Sequence, residues 1–124
     1  HRANNLPIYS TSHIFTGVID PTKDIDLDNV TFIDMPWILD TERQLSIIQD
    51  ALNRYWSQEK SQYRRLYALG VDAYNLIPNV NRLINEENGF MLGETGYLTI
   101  DSTNIVKRNL RKAKFTEGKP ISLN

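Results

Sequence analysis

Residues 65–101, RLYALGVDAYNLIPNVNRLINEENGFMLGETGYLTID, constrain the fold of this 124-residue chain most, because a long helical pattern passes straight into a glycine-punctuated hairpin. Leu66, Leu69, Ala73, Leu76, Val80 and Leu83 recur every three or four positions, which predicts one apolar helical stripe facing a core. Asp72, Asn75, Asn79 and Arg82 fall outside it. The helix is expected to begin near Gln62, and Pro78, which lacks a backbone N–H, should kink it. Asn88-Gly89 is the expected stop, since glycine tolerates the left-handed conformation that closes helices. Gly93 and Gly96 meet the same demand in the turn between Phe90-Met91-Leu92 and Tyr97-Leu98-Thr99-Ile100.

Upstream, residues 6–12 read as a short strand running into a loop, and Ser10-Thr11-Ser12 lie at its C-terminal end, where open α/β sheets bind ligands. Residues 30–35 form a second strand, rich in β-branched and aromatic side chains and ended by Pro36. Between them, residues 15–29 carry Gly17, Pro21 and four aspartates and should form an exposed, irregular loop. Asp40 or Thr41 starts a helix, with Thr41 and Gln44 spaced as a capping box and an apolar stripe through Leu45, Ile48, Leu52 and Tyr55 or Trp56. Residues 57–61 are a polar break. Ala113 and Phe115 alternate with Lys112, Lys114 and Thr116, the period of a half-exposed strand. Parallel strands are normally buried on both faces, so two short ones imply partners outside this stretch.

Composition narrows the function. Forty per cent hydrophobic residues suffice for a core, and a formal charge of −1 disfavours a nucleic-acid binder, which needs a net positive field. The charge is uneven: residues 20–42 are acidic, whereas Lys107, Arg108, Arg111, Lys112, Lys114 and Lys119 make the tail basic. With no cysteine, thiolate metal sites, disulfides and thiol catalysis are excluded. No apolar run approaches the ~20 residues of a membrane helix, and HRANN has no signal-peptide pattern, so any export signal or lipid anchor is expected upstream of His1.

Chemistry-bearing motifs are sparse. Ser57 and Lys60 match S-x-x-K, but no K-T-G or S-D-N accompanies them. Residues 24–29 alternate oxygen ligands like a calcium loop, yet Asn29 and Met35 stand where such a loop needs glycine and glutamate. Neither His1 nor His13 has a partner at metal-ligand spacing. The tripeptide Asn29-Val30-Thr31 is a glycosylation sequon, with meaning only in a glycosylating secretory pathway. Gly93-Glu94-Thr95-Gly96 is flanked by strands and is a turn, not a phosphate loop. Asp72 interrupts an apolar run and must be paired, because an unpaired buried carboxylate is costly. It either faces a cleft or ties the helix to a neighbouring turn. Trp37 wedges a hinge, stacks on a ligand or packs.

The YALGVDAY helix followed by G-x-T-G-x-L-x-x-D resembles the C-terminal part of type I periplasmic-binding-protein domains. With LPIYSTSHIF, VTFIDMPWILD and RLYALGVDAYNL, the chain from Asn4 to about Gly118 is similar to the C-terminal domain of the LpoA family of outer-membrane lipoproteins. That resemblance implies a C-terminal fragment of a bilobed α/β fold with parallel sheets flanked by helices. Residues 1–35 would belong to the second lobe, residues 36–106 to the first, with a hinge crossing near 35–38, and residues 107–124 would return to the second. It also implies a non-enzymatic regulator without cofactor or metal, held in the periplasm by an upstream lipid anchor and activating crosslinking by a class A penicillin-binding protein. The alternative from the same fold is a periplasmic receptor for an amino acid or small peptide, with Ser10, Thr11, Ser12, Trp37 and Asp72 lining the cleft.

Overall fold

The computed structural model describes residues 6–40, 50–51, 54–55 and 63–123. The expected helix start at Thr41, the stripe through Leu45, Ile48, Leu52 and Trp56, the polar break and the Ser57/Lys60 pair lie outside the described residues.

The fold is mixed α/β. A four-stranded sheet has the order β1 (Ile8–Ser10), β2 (Val30–Asp34), β6 (Arg111–Thr116), β7 (Lys119–Leu123). A three-stranded sheet has the order β3 (Met91–Leu92), β4 (Tyr97–Ile100), β5 (Val106–Asn109). Parallel pairing among the described strands is confined to β1 with β2; the other pairs are antiparallel. The chain changes sheet at Leu110, within the 107–124 segment.

Alternation along β2 and β6 sets the core of the larger sheet. Phe32, Ala113 and Phe115 point inward, and Phe32 stacks on Phe115 with centroids 4.9 Å apart while Phe15 meets both near 6 Å. The short helix α2 (Pro36–Leu39) seals this cluster with Trp37, Ile38 and Leu39. The β6–β7 turn between the paired Thr116 and Lys119 is two residues long, and both Glu117 (φ 52°) and Gly118 (φ 68°) are left-handed, as a tight hairpin demands.

Residues 15–29 are irregular only at their ends, and residues 21–27 within them are helical. Asp20 caps α1 (Pro21–Asp24) by accepting from the Thr22 N–H and hydroxyl, Pro21 supplies a preset first helical residue, and a 3-10 turn Ile25–Leu27 follows. Asp28 accepts from the Gly118 N–H at 2.8 Å. These aspartates cap and tie backbone instead of gathering around an ion.

The long helix α3 (Arg64–Leu76) continues through a 3-10 turn (Ile77–Asn79) into α4 (Val80–Asn85). Pro78 thus tightens the helix locally rather than ending it. The expected apolar stripe is misplaced at its start: Leu66 is 60% exposed and Ala73 is exposed, whereas Ala68 and Asp72 are buried. Small Ala68 lets the helix approach the aromatic core, and the polar residues on that face are there because each finds specific partners. Leu83, further along, is buried where α4 lies against β4. The helix stop differs as well. Asn88, not Gly89, takes the left-handed conformation (φ 62°), and the Gly89 N–H donates to the Glu86 carbonyl at 2.9 Å.

Candidate functional site: the junction of the two sheets

The turn Gly93–Gly96 is the hub. The Gly93 N–H donates to the Gly96 carbonyl at 2.9 Å and closes the hairpin, leaving the inner amides of the turn to find other acceptors. Asp72 supplies them. Its Oδ1 accepts from the Glu94 N–H at 2.7 Å, and its Oδ2 accepts from the Thr95 N–H at 2.8 Å and the Thr95 hydroxyl at 2.5 Å. Thr95, itself fully buried, accepts in turn from Arg108 Nε at 2.7 Å on β5, and the Glu94 carbonyl accepts from the Trp37 N–H at 3.0 Å. One four-residue turn therefore joins α3, α2 and β5.

Both glycines of that turn are required, for different reasons. Gly96 has φ +138°, and a β-carbon there would collide with the Asn109 carbonyl oxygen. Gly93 is not left-handed, contrary to the sequence expectation. It is needed because a β-carbon would lie 2.5 Å from Asp72 Oδ2, inside the carboxylate's hydrogen-bonding position.

The N-terminal end of α3 makes the matching attachment to the larger sheet. Arg65 grips Asp34 with two nitrogens, Nη2 to Oδ2 at 2.5 Å and Nε to Oδ1 at 3.1 Å, while Nη2 also donates to the Phe15 carbonyl at 2.9 Å and the Ser12 carbonyl at 3.3 Å. Asp34 is 1% exposed and also accepts from the Met35 N–H at 2.8 Å. Arg64 Nη1 donates to the Gly17 carbonyl at 2.7 Å; burial, followed by the adjacent charge of Arg65, holds the Arg64 guanidinium below its ordinary value. A single helix thus holds one sheet by arginines and the other by a carboxylate seven residues on.

Of the five residues singled out as cleft-lining, Trp37 and Asp72 are buried, and Ser10, Thr11 and Ser12 follow one another at the end of β1. Ser10 ends β1, and Thr11 is exposed, its hydroxyl 3.4 Å from His13 Nδ1. Ser12 begins a 3-10 turn and meets α3 through its backbone carbonyl. Trp37 is 4% exposed within the aromatic core, and Asp72 is 1% exposed beneath the turn. Thr95, Arg108 and the Arg65–Asp34 pair escaped sequence reading, although a carboxylate in an apolar helical face signals that donors must be near. Among the described residues no three His, Asp or Glu side chains gather as metal ligands, and no helix is long and apolar enough to cross a membrane.

Two helix-flanked sheets stapled by one helix define an α/β module of periplasmic-binding-protein type, and a Chromobacterium violaceum protein assigned to a branched-chain amino acid ABC transporter overlays 88% of the chain with TM-score 0.57 at 30% identity, the match spanning 34% of that protein. The chain belongs to the family described as "LppC putative lipoprotein", whose model matches residues 1–118. Its relatives include the penicillin-binding protein activator LpoA of Vibrio antiquarius, 32% identical over 72% of this chain and 14% of that protein. The LpoA of Erwinia tasmaniensis is 26% identical over 95% of this chain and 17% of that protein. Among solved structures, the LpoA C-domain from Haemophilus influenzae, described as a regulator of PBP1A, overlays 99% of this chain and 38% of its own with TM-score 0.77 at 26% identity. The chain thus spans about one seventh of the length of the first of these relatives. They are described as activators and regulators, not as catalysts.

Proposed function

We propose that this chain is part of a non-enzymatic regulatory domain which, within a lipoprotein tethered to the outer membrane and facing the periplasm, raises crosslinking by a class A penicillin-binding protein. The observation that carries this reading is the overlay of almost the whole chain on the Haemophilus influenzae LpoA C-domain, together with membership of the same lipoprotein family. In this reading β1, β2, β6 and β7 belong to one lobe and β3 to β5 to the other, with crossings at Pro36 and Leu110.

The bonding at the junction favours a scaffold over a solute receptor. Trp37 and Asp72, two of the five side chains a receptor would turn toward its ligand, are committed to the core and to the hairpin turn. A receptor for free amino acids needs convergent donors for a carboxylate at an accessible site. Direct binding tests the proposal: the full-length protein, immobilised and presented with the purified periplasmic part of its organism's class A penicillin-binding protein, should bind saturably. No saturable binding at up to ~100 μM partner, well beyond transient contacts of functional strength, would count against it.

A further inference from the structure

The chain leaves the larger sheet at Pro36, after β2, and returns to it from β5 at Leu110. A third link between the sheets is the helix pair. α3 packs Ala68 into the aromatic core of the larger sheet and is held there by Arg65 on Asp34, whereas α4 packs Leu83 against β4 of the smaller one. Between the two helices lies the 3-10 turn Ile77–Asn79, and Pro78 within it has no N–H to give the helical ladder. A 3-10 stretch inside a helix often marks a hinge.

The Gly93–Gly96 turn of the smaller sheet braces all three links. Just past Pro36, the Trp37 N–H donates to the Glu94 carbonyl at 3.0 Å. Just before Leu110, Arg108 Nε donates to the Thr95 hydroxyl at 2.7 Å, and Gly96 lies so close to the Asn109 carbonyl that a β-carbon has no room. Asp72, on the part of the helix fixed to the larger sheet and ahead of Pro78, seats the turn with both carboxylate oxygens. Asp72 and Thr95 are buried, so a swing of the smaller sheet would strand polar groups that water cannot reach, which is costly. The other bond between the crossings, Arg111 Nη1 to Asp40 Oδ1, has side chains 40% and 20% exposed, and an ion pair open to water resists little.

We propose that Asp72 and Thr95 form the lock of a hinge between the two sheets, with Pro36, Ile77–Asn79 and Leu110 as its flexing points. With the carboxylate seated in the turn the sheets hold one angle; with it unseated, the smaller sheet and α4 swing together as one body. The lock is a property of this chain's own geometry, and its readout is a distance within the chain, separate from any effect on a penicillin-binding protein.

Double electron–electron resonance on the full-length protein, carrying no cysteine except Ser102→Cys and Thr116→Cys for the spin labels, tests it. This chain has no cysteine of its own, and both label sites are exposed, at the opposite ends of β5 and β6 from Leu110. The otherwise unaltered protein should give one narrow distance distribution. Asp72→Asn and Thr95→Val should each widen it by about twofold or more, as a released two-state element would. Thr95→Ser, which keeps the hydroxyl, should keep the narrow distribution, and the two Thr95 variants carry the test if Asp72→Asn does not fold. Phe32→Leu, which loosens the core of the larger sheet, and Arg111→Gln, which removes the exposed ion pair, should leave the width unchanged. An unchanged width in Thr95→Val, or a widening by Thr95→Ser, Phe32→Leu or Arg111→Gln equal to that of Thr95→Val, would each overturn the proposal.

Discussion

Asp72, in the second half of α3, and Thr95, in the β3–β4 turn, meet through two hydrogen bonds to one carboxylate oxygen, and neither residue touches solvent appreciably. The contact spans 23 positions and fixes the angle at which the hairpin leaves the helix. Replacing Asp72 by alanine strands two amides and a hydroxyl, so the purified protein should lose about 2 to 4 kcal/mol. Urea unfolding measures this. A loss below ~0.5 kcal/mol, the size of an ordinary surface change, would show that the network does not support the turn.

The two turn glycines should fail for different reasons. Gly96→Val strains the backbone and meets the Asn109 carbonyl, and a cost of about 1 to 3 kcal/mol is expected. Gly93→Ala displaces the Asp72 carboxylate instead, so its cost should shrink markedly in an Asp72→Ala background, while that of Gly96→Val should not. A double-mutant cycle reads the difference, and equal coupling for both glycines would contradict the assignment.

At the other end of α3, Arg65→Met leaves the carboxylate of Asp34 buried without its cation. Breaking a buried pair from one side costs about 3 to 5 kcal/mol, and the solvent-facing part of Arg65 reduces the expected figure to about 3. The Arg65→Met, Asp34→Leu double variant should recover part of that loss. No recovery would mean that the arginine acts mainly through its bonds to the Phe15 and Ser12 carbonyls.

Much of this architecture is legible in the sequence. Alternation in residues 30–34 and 111–116 marks the two strands that carry the phenylalanine core, and glycine spacing marks the hairpin. What periodicity misreads is the inward face of α3, because Arg65 and Asp72 point in and their partners, Asp34 and Thr95, are 31 and 23 residues away. Local pattern carries no information about such pairs. The β7 strand also goes unseen although Glu117-Gly118 is a usable hairpin signal, since Pro120 weakens the strand pattern. Asp20-Pro21, a cap followed by a preset first helical residue, similarly hides among turn-forming residues.

Asp101 gives a pH test. Its carboxylate accepts from the Thr103 hydroxyl at 2.6 Å, the Ile105 N–H at 3.0 Å and the Thr103 N–H at 2.9 Å, and lies 3.2 Å from Lys107 Nζ. The Thr103 hydroxyl first, then the Ile105 amide, hold the group well below the usual carboxylate range. A depressed folded-state value adds stability that is fully present above the unfolded value near pH ~4 and is lost as pH falls through the folded one. Asp101→Asn should therefore melt below the parent at neutral pH, with the gap narrowing as pH drops below about 4. A gap that stays constant as pH falls from ~7 to ~2, a range that crosses the unfolded value and runs toward the folded one, would contradict this account of the turn.

The most direct test of the central claim is a reconstituted peptidoglycan synthesis reaction containing lipid II and the organism's class A penicillin-binding protein, with and without the full-length protein and no added small molecule. The account predicts a higher fraction of crosslinked muropeptides when the protein is present, and no crosslinked product from the protein alone. Crosslinking unchanged by the protein, together with a Trp37 fluorescence shift at micromolar free amino acid or muropeptide, would contradict the regulator and point to a solute receptor.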